Sequence, residues 1–428
     1  MIKLTSHIFL YIITVIIIIY LFITAFIRIK LKFWTSQPVF HIYNLKYWFN
    51  PPGIINNELP KPNKYLNLTN IKLIHVGDGI DENNKDKTKD NSKDNNKDNS
   101  KDKNKITEID KICIFLKNNY LIHSKIDYKP TVNDIISYLH HSNHPSFCNV
   151  YYETKLIFEN GLPMENLDKE IIGVISARPL NCCLIKNKKK YIFPLYYVDN
   201  LCIHPAYRKK GIAPELIQTH YYNIVHENPK ISVCLFKREG KLNPIVPLVY
   251  FDTYCFDVTD LFPEYSIHSS ISIIEIGQQH LNMVINFIKQ ELPRFKCYII
   301  PDISNLIYLI NNGKLKLYGL LFNNSFVSIY VFRPLELYYN NKRAIECISI
   351  ITNKNVCNLD TLIIGFTTSL SKINADILLL ENTADCNSVL SYLKQRRDIY
   401  NKFINPTAFF LYNYASHSFK NTDVLLLY

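Results

Sequence analysis

A short basic turn is the segment of this chain best suited to bind a charged ligand. Arg208-Lys209-Lys210-Gly211-Ile212-Ala213 follows an apolar stretch and precedes a stretch predicted to be helical. The free N–H groups and positive dipole end of a helix N-terminus attract anions. Lys209 and Lys210 add charge, and Gly211 allows close approach of the backbone. The turn therefore predicts a pyrophosphate site, and a merely solvated helix end is the alternative interpretation.

The elements around this turn are predicted from their apolar patterns. Glu170 to Ala177 (EIIGVISA) and Tyr191 to Ile203 (YIFPLYYVDNLCI) are expected strands before the turn. Ala213 to Val225 is an expected helix with Pro214 in its first turn, and Ser232 to Phe236 is the next strand. An earlier helix is predicted over Thr131 to His140, with Thr131 as its cap. Strands thus lie on both sides of the basic turn.

The second half of the chain repeats this alternation more loosely. Its expected strands and helices are Ser270 to Glu275 (strand), Gln278 to Gln290 (helix), Leu315 to Phe332 (paired strands), Ala344 to Ile351 (strand), Leu359 to Ile373 (helix), Asp376 to Leu380, Ala408 to Tyr414 and Val424 to Tyr428 (strands). The sequence therefore predicts an α+β fold made of two successive units of similar size.

Two segments lie outside these units. Ile8 to Ile27 is a run of twenty uncharged residues, long enough to cross a bilayer as a helix. Arg28, Lys30 and Lys32 follow it, and this excess of positive charge predicts that the C-terminal side faces the cytosol. A signal peptide and a buried core helix are the alternatives. Residues 81–105 consist almost entirely of Asn, Asp, Lys and Ser and are expected to be a disordered insert.

Composition excludes several classes of protein. The eleven cysteines include no CxxC pair and are odd in number, which argues against a disulfide framework or a structural zinc site and favours buried thiols in the cytosol. The net charge of +12 suits an anionic ligand. No zinc-finger, helix-turn-helix or RNA-binding signature accompanies this charge, so no nucleic-acid partner is expected.

Four segments in order resemble the N-myristoyltransferase family. VDNLCIHPAYRKKGIAPELI (198–217) resembles the family's N-F-L-C-V-H segment and the R-x-K-x-x-A-P-x-L-I that follows it. FWTSQPV (33–39) is similar to F-W-x-x-Q-P-V, EIIGVISA (170–177) to the strand ending in G-F-I-S-A, and FLYNY (410–414) to Y-L-Y-N-W. The basic turn also matches the R-x-x-G-x-A turn with which Gcn5-related acyltransferases hold coenzyme A. The resemblance covers residues 31 to 428.

This resemblance implies a fold and a division of the chain. The family has two tandem Gcn5-related acyltransferase-like domains, which agrees with the two α+β units predicted above. The expected parts are a transmembrane anchor (1–30), an arm that contacts acyl-CoA (31–80), the insert (81–105), an acyl-CoA-binding domain (106–260) and a peptide-binding domain (261–428).

The resemblance also implies an activity: myristoyl transfer from coenzyme A to the N-terminal glycine of a protein or peptide. The backbone amides of Asn200 and Leu201 would stabilise the oxyanion, and the α-carboxylate of Tyr428 would be the base. A final strand that only completes a sheet is the other interpretation of the C-terminus. The implied acyl-CoA contacts are Lys32, Phe33, Trp34, Asn200, Leu201, Cys202, Ile203, Arg208, Lys209, Lys210, Gly211, Ile212 and Ala213.

The peptide side departs more strongly from the family pattern. Tyr120, Tyr250 and Ser349 match peptide-binding positions, but the acidic loop expected after Tyr120 is missing. Asp199 replaces the family's Asn beside the oxyanion amides. A non-catalytic acyl-CoA or peptide binder, and a Gcn5-like enzyme that uses a short acyl-CoA, therefore remain alternatives. His140, His141 and His144 near Cys148 fit no tetrahedral spacing, so no metal is expected.

Overall fold

The computed structural model describes residues 2–76, 107–121, 125–155, 158–159, 162–163, 168–240, 244–261, 271–396 and 398–428. The predicted insert at 81–105 lies outside these residues. The α-helices of the described part are α1 (Ile2–Lys30), α2 (Leu45–Phe49), α3 (Glu108–Asn119), α4 (Val132–Ile136), α5 (Ile212–Glu227), α6 (Leu281–Glu291), α7 (Ile303–Asn311), α8 (Leu359–Ser371) and α9 (Cys386–Gln395).

The strands of the described part follow in the same chain order. They are β1 (Gly53–Ile54), β2 (Ile71–Val76), β3 (Ile126–Tyr128), β4 (Ser146–Lys155), β5 (Phe158–Glu159), β6 (Leu162–Pro163), β7 (Asp168–Lys186), β8 (Lys189–Ile203), β9 (Cys234–Glu239), β10 (Val249–Asp257), β11 (Ile271–Glu275), β12 (Cys297–Ile300), β13 (Lys316–Phe322), β14 (Ser325–Tyr339), β15 (Lys342–Thr352), β16 (Ile377–Glu381), β17 (Phe403–Tyr412), β18 (Tyr414–Ala415) and β19 (Val424–Leu426).

Within the described residues, one mixed sheet of fifteen strands organises the fold. Its main path is β11-β13-β14-β15-β16-β10-β17-β9-β8-β7-β12-β19, with β2 on β4, β4 on β7 and β3 on β14. β17 comes from the C-terminal side of the expected boundary at 260/261, yet it lies between β9 and β10, which come from the N-terminal side. The two halves of the chain therefore share one sheet, and the fold is mixed α and β as predicted.

The strands predicted around the basic turn are confirmed, with longer bounds. β7 continues to Lys186, well beyond the expected end at Ala177, because β8 pairs with it along its length. Thr131 caps α4 in a capping box with Asp134, as its sequence position predicts, but the α-helix ends at Ile136 and a 3-10 turn follows. β10 was not predicted from the sequence. It pairs with β16 along one edge and with β17 along the other.

Helix α5 packs directly on β7 and so fixes the basic turn relative to the sheet. Leu216 is fully buried on this face of the helix. A Cβ added to Gly173 in β7 would lie 3.2 Å from Leu216 Cδ2, a separation tighter than ordinary packing. The Gly173 position therefore allows the helix to approach the strand closely.

The N-terminal apolar run forms α1, as predicted. The segment His7–Lys30 is long and apolar enough to cross a membrane, and most of its side chains are exposed. All eleven cysteines are buried free thiols, which also agrees with the sequence analysis.

Substitution of Gly365 by Ala should destabilise the fold. A Cβ at this position would lie 2.1 Å from Tyr330 Oη, and that buried hydroxyl donates to Leu362 O at 2.9 Å. The clash should lower the free energy of unfolding by about 1–3 kcal/mol, more than the helix propensity of Ala restores. Denaturant unfolding would measure it. Gly53→Ala, where no atom lies within 4 Å, is the matched control, and equal stability of both variants would contradict the prediction.

Candidate active site

A β-bulge at the end of β8 places the two predicted oxyanion donors. Val174 pairs with Cys202 and Ser176 with Asp199, so Asn200 and Leu201 together face Ile175. Asn200 has a φ of 54°, in the left-handed region that Asn tolerates better than most residues. Because a bulge interrupts the regular ladder, it is a place where backbone amides can be directed at a ligand.

The carboxylate of Asp199 lies directly at this bulge. Asn200 N–H donates to Asp199 Oδ1 at 2.8 Å. Asn200 Nδ2 also donates to Ser176 Oγ at 3.0 Å, which ties the bulge to β7. One of the two predicted oxyanion donors is therefore engaged by an acidic side chain in this structure.

A small apolar cavity of about 340 Å³ opens where β8 and β9 separate. These parallel strands pair only through Tyr196–Val198 and Cys234–Phe236. Its lining residues are Trp34, Tyr120, Ile175, Val198, Asp199, Asn200, Leu201, Ile217, His220, Tyr221, Cys234, Phe236, Lys237, Arg238, Glu239 and Tyr412. Burial lowers the pKa of His220 to about 3, so its ring is neutral at physiological pH. This small cavity suits an alkyl chain.

The N-terminal arm closes one side of the small cavity. The Trp34 ring stacks on Phe236 with centroids 5.4 Å apart. Tyr412 Oη donates to Gln37 Oε1, and Asn413 N–H donates to Pro38 O at 2.7 Å. The motifs at 33–39 and 410–414, far apart in sequence, are therefore in direct contact.

The basic turn adopts a geometry that exposes its lysines. Lys209 has a φ of 64° and Gly211 a φ of 88°, and α5 begins at the next residue, Ile212. Lys209 and Lys210 are exposed. The Arg208 guanidinium instead donates to main-chain carbonyls, from Nε to Ile203 O and from Nη2 to Asn119 O, both at 3.1 Å. In this structure the Arg208 guanidinium therefore holds the turn against α3.

A larger, charged cavity of about 590 Å³ lies on the other side of the bulge. Both cavities are lined by Tyr120, Val198, Asp199, Asn200, Lys237 and Glu239. The bulge therefore forms part of a wall between an apolar compartment and a polar one. Two reactants held in these compartments would meet beside the amides of Asn200 and Leu201.

The C-terminal residue belongs to a buried ionic network behind this large cavity. Tyr428 is 1% exposed and does not line either cavity. Its Oη donates to Glu381 Oε1 at 2.6 Å, and its main-chain O accepts from Arg333 Nη1 at 3.4 Å. Lys237 Nζ lies 2.7 Å from Glu381 and 3.2 Å from Glu346, and Arg333 pairs with Glu346.

The two carboxyl groups of this network have opposite pKa shifts. Burial raises the pKa of Glu381 to about 7, and the charge of Glu346 adds to the effect. Burial alone would also raise the pKa of Glu346, but Arg333 and Lys237 outweigh it and lower that pKa to about 2. Glu346 therefore carries the negative charge of the pair, and Glu381 titrates near neutrality.

The remaining predicted residues are divided between the site and other regions. Tyr120 lines both cavities, whereas Tyr250 is 46% exposed, Ser349 is fully buried, and neither of these two residues lines the small or the large cavity. Lys32 is exposed, Phe33 packs against Trp34, and the Cys202 side chain is buried beside α3.

Five charged residues of the large cavity and of the network behind it were not predicted from the sequence. They are Arg178, Lys237, Arg333, Glu346 and Glu381. A signal was present, since each lies within or directly after an apolar run, where an ionisable residue requires a partner or a ligand.

Solved structures of N-myristoyltransferases have the same fold. One from Saccharomyces cerevisiae, with bound myristoyl-CoA, matches with a TM-score of 0.62 and 14% identity over 91% of this chain and 94% of that chain. Another, with bound myristoyl-CoA and inhibitors, matches with a TM-score of 0.64 and 13% identity over 92% and 96% of the two chains. No family model and no curated protein sequence matches. The resemblance found in the sequence therefore predicted the fold correctly.

The raised pKa of Glu381 predicts a specific pH dependence of stability. The ordinary pKa of this carboxyl group is 4.5. Between pH 4.5 and about 7 the folded protein therefore holds a proton that the unfolded chain releases. The stabilising contribution is complete below pH 4.5 and is lost as pH rises through 7. Glu381→Gln should remove a decline of about 1–3 kcal/mol in the free energy of unfolding between pH 5 and 7.5.

Denaturant unfolding of the wild type and the variant across this pH range would measure the decline. Glu275→Gln makes the same chemical change at an exposed residue and should retain the wild-type slope. Identical slopes for the wild type and Glu381→Gln would contradict the assignment.

Proposed function

We propose that this protein transfers a myristoyl group from coenzyme A to the N-terminal glycine of a protein or peptide. One observation carries the proposal: an apolar cavity and a charged cavity share a wall at a β-bulge. An acyl chain fits the first, a peptide fits the second, and the bulge amides lie where the two meet. The fold shared with N-myristoyltransferases supports this arrangement.

The proposed acyl-CoA site extends from the small cavity to the basic turn. The acyl chain would lie between β8 and β9 against Trp34 and Phe236, which already form its aromatic wall. The phosphates would lie at the N-terminus of α5, where Lys209, Lys210 and the backbone of Gly211 to Ala213 are available. The thioester carbonyl would then reach the bulge between these two ends.

The proposed chemistry is direct transfer. The glycine amine attacks the thioester carbon, the carbonyl oxygen gains negative charge beside the Asn200 and Leu201 amides, and the coenzyme A thiolate leaves as the amide forms. The α-carboxylate of Tyr428 would accept the amine proton. Arg333, which lines the large cavity, donates to the main-chain O of Tyr428 and would hold that terminus in place for this step.

We further propose that α1 anchors the enzyme in a membrane with the remainder in the cytosol. The basic residues after its apolar run favour that orientation. The two Gcn5-like units, with the boundary at 260/261, would then correspond to an acyl-CoA half and a peptide half that share the sheet.

A non-catalytic acyl-CoA or peptide binder is the second candidate. The observation that favours it is the hydrogen bond from Asn200 N–H to Asp199 Oδ1, because a carboxylate at that point opposes an oxyanion. Catalysis requires the Asp199 carboxylate to turn away from the Asn200 amide when the acyl-CoA is bound.

Acyl-chain length should determine affinity. Full-length protein in lipid nanodiscs should bind myristoyl-CoA at least about a hundredfold more tightly than acetyl-CoA, because each buried methylene contributes about 0.8 kcal/mol. Ile217→Trp, which fills the small cavity, should weaken myristoyl-CoA binding and leave acetyl-CoA binding unchanged. Ile114→Trp, at an exposed position of α3, is the control. Equal affinity for both thioesters would replace the myristoyl assignment with the short-chain alternative.

Asp199→Asn should raise the rate of transfer by about tenfold, because it removes the negative charge beside the Asn200 amide, which would face the oxyanion. Single-turnover acylation of glycine-starting peptides would measure it. Glu239→Gln removes a charge from the same two cavities without touching that amide, and it should have a much smaller effect. Loss of transfer in Asp199→Asn with acyl-CoA binding intact would make Asp199 the base and exclude that role for Tyr428.

A further inference from the structure

We propose that Arg178 binds a side-chain carboxylate of the acceptor peptide, close to its amino end. The inference rests on the proposed function, since it assigns a specificity to the same large cavity. Arg178 lies on β7 and lines that cavity, yet it is only 4% exposed. It is therefore a buried charge that faces an open compartment.

The guanidinium of Arg178 lacks the partners that its neighbours have. Its Nη1 atom is buried without a hydrogen-bond acceptor, and the described residues provide no carboxylate in ion-pair contact with it. In the same cavity Lys237 pairs with Glu346 and Glu381, and Arg333 pairs with Glu346. A buried cation without a partner is costly unless a ligand supplies the missing negative charge.

Two tyrosine rings hold the guanidinium in place. Its Cζ lies 4.9 Å from the centroid of Tyr138 and 5.4 Å from that of Tyr197. Tyr138 is itself fixed, because its Oη donates to Lys314 O at 3.0 Å. A guanidinium held against aromatic rings retains its N–H edge for a planar acceptor, and a carboxylate accepts two such bonds in parallel.

The charges around the large cavity favour a single negative charge. Its described lining contains six basic side chains and five acidic ones. One carboxylate would neutralise this excess of one charge, whereas a doubly charged phosphate would exceed it and would be repelled about twice as strongly by Asp199 and Glu239 on the shared wall. The ligand that fits is therefore an aspartate or glutamate side chain.

The position of Arg178 places the acidic residue that it would bind near the amino end of the acceptor peptide. Arg178 pairs with Tyr197, two residues before Asp199 and three before the bulge at Asn200. At about 3.3 Å per residue, the separation along the strand is about 10 Å. An extended peptide whose amine lies at the bulge would bring residues 2 to 4 to Arg178.

The decisive measurement is equilibrium binding of peptides, which does not require turnover. Full-length protein in nanodiscs, loaded with the non-reactive thioether analogue of myristoyl-CoA, is titrated with glycine-starting peptides. These carry Glu or Gln at position 2, 3 or 4. The wild type should prefer Glu at one of these positions by at least about tenfold, which corresponds to about 1.4 kcal/mol.

Arg178→Met should reduce this preference to less than about twofold. Lys316→Met is the matched control. Lys316 lines the same cavity and has no ion pair among the described residues, but it is less buried than Arg178. It should retain the preference. If Arg178→Met does not fold, Arg178→Lys should still weaken the preference, because lysine cannot form the two parallel bonds. Equal affinity of the wild type for Glu and Gln peptides would overturn the inference, as would a preference that persists in a folded Arg178 variant.

A transfer assay on the same peptides separates the two proposals. A Glu preference in binding without any acyl transfer would leave this inference standing and refute the proposed function. Acyl transfer by a protein that binds Glu and Gln peptides equally would support the proposed function and refute this inference.

Discussion

The site depends on one interruption of strand pairing. β8 and β9 are hydrogen bonded over three residues each and then separate, while β8 stays on β7 and β9 stays on β17. Backbone groups released from a ladder require other partners. The small cavity opens at this separation, and the bulge at Asn200 and Leu201 on the β7 edge of β8 lies in its wall. A fully paired sheet would leave no room for an alkyl chain between these strands.

Burial of charge is the second constraint. Glu346 and Glu381 are almost completely removed from water beside the ring of Tyr428, and Lys237 and Arg333 are largely buried there. Such a cluster is tolerated because each charge has an opposite neighbour, and because Glu381 can take up a proton near neutral pH. The network fixes the C-terminus behind the charged cavity. Arg178 stands apart from it as a buried cation that is held by tyrosine rings and has no carboxylate in ion-pair contact among the described residues.

Contacts between distant segments complete the site. The arm at 33–39 lies against the small cavity only because Gln37 and Pro38 are bonded to Tyr412 and Asn413 near the other end of the chain. β17, which carries Tyr412, is inserted between strands of the N-terminal half. Neither half of the chain could therefore build the small cavity alone.

The sequence by itself determined many of the local elements and, through the family motifs, the fold. The apolar run of α1, the Thr131 cap and the strands beside the basic turn are set by neighbouring residues, so their patterns identify them. The family motifs identified the fold although overall identity to the solved structures is only 13–14%. Only the tertiary structure decided which charges meet. Arg208 donates to Asn119 O, Lys237 pairs with Glu346 and Glu381, and Arg178 faces a cavity, because each of these contacts depends on residues distant in sequence.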